Sequence, residues 1–167
     1  YVLTREPGPV VSNMSSSRAA ADIAAKYGQE YYASAVGEVN VVAKMKEVGA
    51  AIGGEGNGGI IDPRLHYGRD SLIGLALVLS HLAISGKTIN ELRDGYVHYE
   101  MIKDKKEVDK TYDLNGAFTR VRAKFPDVRT SDIDGLKLDF PDGWVHLRAS
   151  NTEPIVRVDA EAGSKER

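Results

Sequence analysis

The chain has 167 residues, long enough for one ordinary domain or two small ones. Its 22 Lys and Arg stand against 24 Asp and Glu, a net charge of -2 that lacks the positive excess nucleic-acid and anionic-membrane binding draw on. There is no cysteine, which excludes disulfides and Cys-based metal sites, and no run approaching ~18 apolar residues that would cross a membrane.

In chain order, Pro9 to Ser12 reads as a short strand, and Ser15-Ser16-Ser17 opens an Ala-rich helix with Ala19, Ala20, Ile23 and Ala24 at helical spacing. Gly28 ends that helix, and Glu30 to Ala35 is extended. A second helix is expected from about Val39 to Val48, and Ala50 to Gly53 is a short apolar strand running into a glycine-rich loop. Ile60-Ile61 is a further strand stopped by Asp62-Pro63. Asp70 then caps a long helix carrying Leu72, Leu75, Ala76, Leu79 and Leu82, which Gly86 ends. Thr88 to Gly95 reads as a short helix or turn. Strands alternating with helices argue for an α/β layer with parallel strands.

From Tyr96 the character changes. Tyr96, Val97, Tyr99 and Ile102 suggest a strand, and the charged stretch Lys103 to Lys110 reads as a solvated loop. Leu114, Phe118, Val121 and Phe125 mark a helix. Strands follow at Gly135 to Phe140, Trp144 to Arg148 and Ile155 to Asp159, the first two joined by the hairpin signal Pro141-Asp142-Gly143. This half reads as α+β with an antiparallel sheet, and the boundary falls near residues 92–97, dividing the chain into domains 1–92 and 93–167. The linker position suggests a hinge. The chain starts at Tyr1 and stops at Ser164-Lys165-Glu166-Arg167, where Ser164 would cap a helix with no room to continue. Both ends read as cut, with a trimmed terminus on a complete protein as the alternative.

Two loops stand out chemically. Gly54-Glu55-Gly56-Asn57-Gly58-Gly59 has four glycines in six positions, which lets the backbone approach a ligand closely. The carboxylate of Glu55 can accept hydrogen bonds from two neighbouring hydroxyls, and Asn57 adds a donor and an acceptor. A bare turn between two strands is the competing reading. Gly54, Gly56 and Gly59 also match G-x-G-x-x-G, but Ile60-Ile61-Asp62-Pro63 follows where a dinucleotide fold needs a helix. The second loop, Arg148-Ala149-Ser150-Asn151-Thr152-Glu153-Pro154, offers a guanidinium, hydroxyls, a carboxamide and backbone N–H groups, the donors a phosphate requires. A polar turn with Arg148 in solvent is its competing reading. The four histidines show no metal-ligand spacing; His81 reads as structural or surface, and His66, near the glycine loop, is a minor candidate for substrate contact.

Together these loops, in this order and on either side of a boundary, resemble the α-D-phosphohexomutase superfamily, which covers phosphoglucomutase, phosphomannomutase and phosphoglucosamine mutase. Gly54-Glu55-Gly56-Asn57-Gly58 looks like the sugar-recognition loop of the family's third domain, and Arg148 to Pro154 is similar to the phosphate loop of its fourth. Val36-Gly37-Glu38, leading into the helix with Lys44-Met45, looks like another third-domain segment near substrate.

The resemblance implies an α/β mixed-sheet domain, followed by a smaller α+β domain with an antiparallel sheet of the TATA-box-binding-protein-like kind. It implies a reversible exchange of phosphate between positions 1 and 6 of a hexose, through a phosphoserine enzyme and a bisphosphate intermediate. Magnesium would be the ion and hexose 1,6-bisphosphate the activator. Gly54, Glu55, Asn57 and Gly58 would hold sugar hydroxyls, and Arg148, Ser150, Asn151 and Thr152 the non-reacting phosphate. Gly37 and Glu38 are further candidates for substrate contact.

The family's serine loop and metal-binding aspartate loop are absent, so neither catalytic residues nor metal ligands are expected in this chain. They would lie in N-terminal domains preceding Tyr1, which are the expected partners along with a phosphorylated hexose. The implied location is cytoplasmic, without nucleic-acid or membrane partners. Some members carry His where Glu38 and Gly59 stand here, so no catalytic role is assigned to either position. A non-catalytic sugar-phosphate binding or regulatory module is the competing function, and a purely structural domain a third.

Overall fold

A computed structural model describes residues 1–109, 111–150 and 153–164. The chain divides into two compact units, Tyr1–His98 and Tyr99–Arg167. Among the described residues no helix is long and apolar enough to cross a membrane.

The first unit is built on strands β1 (Val10–Asn13), β2 (Tyr31–Ser34), β3 (Ile52–Gly54) and β4 (Ile60–Ile61), with helices α1 (Ala19–Lys26) and α2 (Glu38–Val48) in the connections. The sheet order is β2-β1-β3-β4. β1 runs parallel to β2 and β3, and β4 returns antiparallel to β3, so the sheet is mixed.

Successive side chains of β1 point to opposite faces of the sheet. Val10 packs with Leu3 and Ala24 of α1, whereas Val11 packs with Val41 and Met45 of α2 and with Ile61. One helix therefore covers each face. This arrangement places the carboxyl ends of three parallel strands, Asn13, Ser34 and Gly54, on one edge, and in open α/β sheets that edge is where ligands bind.

Helix α3 (Ser71–Ser85) follows β4. The Asp70 carboxylate caps it by accepting from the N–H groups of Leu72 and Ile73, and Gly86 ends it. α3 is apolar around most of its circumference and meets the sheet at β4, leaving Leu72, Leu75, Leu79 and Ile84 more than half exposed. The short helix α4 (Ile89–Asp94) has a capping box between Thr88 and Glu91.

In the second unit the strands are β5 (Glu100–Glu107), β6 (Arg129–Ser131), β7 (Leu136–Phe140), β8 (Gly143–Ala149) and β9 (Ile155–Ala162), with α5 (Leu114–Lys124) after β5. The order β5-β9-β8-β7-β6 is antiparallel throughout. A two-residue loop at Pro141-Asp142 joins β7 to β8 as expected, although neither residue has the positive φ of the primed hairpin turns.

The charged stretch expected as a loop from Lys103 is instead strand up to Glu107, paired in register with β9 from Glu100↔Ala162 to Glu107↔Ile155. β5 is an edge strand, so its backbone is satisfied from one side while its lysines and acids face water, a common way to protect an edge. Tyr96, Val97 and Tyr99, expected in that strand, lie before it.

The core of the second unit comprises Leu136, Leu138, Trp144, Ile155 and Val156, together with buried polar groups. Trp144 donates from Nε1 to Glu161 at 3.0 Å, and the Lys137 ammonium lies 4.2 Å from the Trp144 ring centroid.

Candidate functional site

The glycine loop joins β3 to β4 as a tight hairpin. Its base is closed by Glu55 N–H to Gly59 O at 2.9 Å and Gly58 N–H to Glu55 O at 3.1 Å. A strand, not a helix, follows the loop, which removes the dinucleotide reading.

The Glu55 side chain is only 5% exposed. Asn13 at the end of β1 donates from Nδ2 to Oε1 at 2.9 Å, and Arg69 pairs from Nη1 with Oε2 at 3.0 Å. Asn13 is held in turn, since its Oδ1 accepts from Ser15 N–H at 3.2 Å and from the Ser16 hydroxyl at 2.9 Å. A cleft of about 280 Å3 lies beside the loop, lined in part by Ser12, Ser16, Gly54, Glu55 and Gly56.

Glu38, the first residue of α2, accepts from the Arg69 backbone N–H at 2.8 Å and from its Nε at 2.8 Å. The backbone N–H, then the guanidinium, hold the Glu38 carboxyl below the usual carboxylate range, and the pairing raises Arg69 above the usual arginine value. Gly37 precedes Glu38 as the N-cap of α2. Asn57 Oδ1 accepts from Gly59 N–H at 3.1 Å, while Gly56, Asn57 and Gly58 are exposed at the loop tip. His66 sits 3.2 Å from the Asp70 carboxylate beside this cluster. Within the Lys44-Met45 pair, Met45 is core and Lys44 pairs with Glu47 at 2.8 Å. The first unit thus brings together Glu55, Glu38 and the glycine loop, and adds Asn13 and Arg69, which sequence reasoning missed.

In the second unit Arg148 lies near the end of β8, before the polar loop. Ser150 N–H donates to Ile155 O at 3.0 Å, closing the base of that loop. Asn151 and Thr152 lie outside the described residues. Arg148 does not simply face solvent: its Nε is buried and, among the described residues, has no hydrogen-bond partner.

The turn at Asp134-Gly135 presses against β8 here. Asp134 O lies 2.5 Å from His146 Nε2, and a Cβ at Gly135 would come within 2.9 Å of Arg148 Cα. Gly135 also needs its φ of +78°, so glycine is required on both counts. Opposite Arg148 in register stands Arg157, a second cation not anticipated from the sequence, which pairs loosely with Glu153 at 3.9 Å. Two like charges directly opposite on a ladder repel each other unless an anion lies near.

The chain thus joins an α/β/α domain with a carboxylate at its strand ends to an antiparallel α+β domain with an arginine before its polar loop. The chain belongs to the phosphoglucomutase/phosphomannomutase family: residues 1–99 match its alpha/beta/alpha domain III and residues 97–167 its C-terminal domain.

A phosphoglucomutase/phosphomannomutase from Thermococcus kodakarensis is 36% identical over 96% of this chain, and a probable phosphoglucosamine mutase from Methanopyrus kandleri 33% identical over 96%. A crystal structure of a phosphoglucomutase/phosphomannomutase family protein from Burkholderia thailandensis superposes over 99% of the chain with a TM-score of 0.81 and 29% identity. The chain spans 35% and 36% of the two curated relatives and 36% of the crystallised one.

Proposed function

We propose that this chain is the part of a phosphohexomutase that grips the sugar and the non-reacting phosphate, in a protein interconverting hexose 6-phosphate and hexose 1-phosphate through a phosphoserine and a bisphosphate intermediate. The observation that carries it is the buried Nε of Arg148, which has no hydrogen-bond partner among the described residues and precedes a run of hydroxyl and amide donors in the sequence. A buried donor left open is unfavourable by about 1–3 kcal/mol, so its persistence is best explained by an external acceptor.

Arg148 and Ser150, with Asn151 and Thr152 of the same loop, hold the phosphate that is not reacting. Glu55 and Asn57, framed by Gly54 and Gly58, take the sugar hydroxyls. Glu38 and Gly37 border that site. A hydroxyl clamp and a separate phosphate clamp can serve both orientations of a bisphosphate, and such chemistry depends mainly on positioning and electrostatics.

Magnesium, hexose 1,6-bisphosphate as activator and a cytoplasmic location belong to the same proposal. Among the described residues no group of three or more His, Asp or Glu side chains is placed to hold a metal ion, and the proposal assigns the magnesium ligands to other domains of the intact polypeptide. The phosphoryl-donating serine likewise belongs to other domains of the intact polypeptide, and the 167-residue chain alone is expected not to turn over.

The test is a panel on the intact protein with glucose, mannose and glucosamine 6-phosphates. Formation of a 1-phosphate supports the proposal and names the hexose. Tight binding without turnover would favour a non-catalytic sugar-phosphate module.

A further inference from the structure

We propose that Arg69 is the positioning residue of the hydroxyl clamp, holding the Glu55 carboxylate from the side opposite Asn13 and tying it to Glu38. The inference rests on the phosphohexomutase reading above. Three segments distant in sequence meet at this guanidinium: the start of α2, the glycine loop and the loop preceding α3. Nε binds Glu38 at 2.8 Å and Nη1 binds Glu55 at 3.0 Å, while the Arg69 backbone N–H also binds Glu38 at 2.8 Å.

A surface ion pair would ordinarily add little. Here the Glu55 end is 5% exposed, so one partner is desolvated and cannot turn to water instead. The end torsion of a glutamate is broad and roughly two-fold, so a carboxylate with a single donor can swivel. With Asn13 on Oε1 and Arg69 on Oε2, Glu55 is held at one attitude, and its remaining lone pairs stay available to hydroxyls.

Gly59 makes room for this bridge. A Cβ there would fall 2.4 Å from Arg69 Cδ and 2.9 Å from Cγ, so the stem of Arg69 fills the space a side chain at 59 would need. The φ of Gly59 is not positive, so the constraint is steric alone. Glu38 and Gly59 are thus both tied to one arginine: the first anchors it and the second yields to it.

The experiment compares kcat and KM of the intact protein with the Arg69→Ala, Arg69→Lys and Gly59→Ala variants. Arg69→Ala is expected to lower kcat about tenfold with little change in KM, because a sugar misaligned at its hydroxyls still binds through its phosphate. Melting temperature should fall only slightly, since Asn13 still holds the other Glu55 oxygen and the Arg69 side chain is 42% exposed. Arg69→Lys should restore part of the loss. Gly59→Ala should reproduce the defect by displacing Arg69, and the double Gly59→Ala/Arg69→Ala variant should be no worse than Arg69→Ala alone. An active parent with an unaffected Arg69→Ala variant, or a loss matched by an equal fall in melting temperature, would overturn this inference while leaving the mutase reading in place. An inactive parent would overturn both.

Discussion

The two candidate loops solve opposite electrostatic problems. In the first unit the Glu55 carboxylate has a donor on each oxygen, from Asn13 and Arg69; in the second, the Arg148 Nε is buried with no partner among the described residues. The difference follows from hydrogen-bonding capacity. A carboxylate offers about four lone-pair sites, so it can be oriented by two internal donors and still bind two hydroxyls. Each guanidinium N–H makes essentially one good bond, so a donor meant for an external anion has to be left open. A carboxylate oxygen can be held and still accept another bond, whereas a single N–H cannot be both held and open.

The largest expected effect tests the open side. Arg148→Ala in the intact protein should weaken sugar-phosphate binding by roughly 1.5–3 kcal/mol, the loss of a charged hydrogen bond. It should leave thermal stability nearly unchanged, because the Nε has no bond to lose among the described residues. Calorimetry showing unchanged affinity, or a large drop in melting temperature, would break the contrast. On the wired side, Glu55→Ala should lower turnover and also remove contacts to Asn13 and Arg69, for a stability loss of about 1 kcal/mol. Glu55→Gln is the sharper probe, since it keeps the shape and removes the charge that pairs with Arg69.

Both loops were legible because their residue types are unusual at close range: four glycines around a carboxylate, and donors clustered after Arg148. The helix-ending residues Asp70 and Gly86 were legible for the same local reason. Asn13 and Arg69 were not, since each reaches its carboxylate partners across tens of residues of chain. One signal was available for Asn13, which closes a parallel strand at the ligand-binding edge. Residues 103–107 of β5 were read as a loop because mixed charges resemble a solvated segment, and only the edge position makes them compatible with a strand. β6 is three polar residues without periodicity, and nothing in Arg129-Thr130-Ser131 announces it. In α3 the apolar spacing signals a helix but does not say which leucines are covered.

Acid should separate the two units, and by a smaller effect. In the first unit Asp62 is 1% exposed, and hydrogen bonds from the Arg64 side chain, opposed by burial, leave its carboxyl below the usual 3.8. A depressed carboxyl stabilises the fold above the unfolded value and loses that contribution only as pH falls below about 3.8. Asp62→Asn should therefore cost roughly 1–2 kcal/mol at neutral pH, discounted because Arg64 is partly exposed. In the second unit burial is the main cause holding His146 below its ordinary 6.5, so the folded state keeps it neutral while the unfolded chain protonates first. By the same sign rule, its contribution is complete above 6.5 and fades as pH drops through the lowered folded value. Melting of the second unit should accordingly begin to fall below pH 6.5, well before the Asp62 window opens in the first, and His146→Gln should flatten that slope. A wild-type protein whose two units lost stability together only below pH 4 would show that His146 is not held neutral against the turn at Asp134-Gly135.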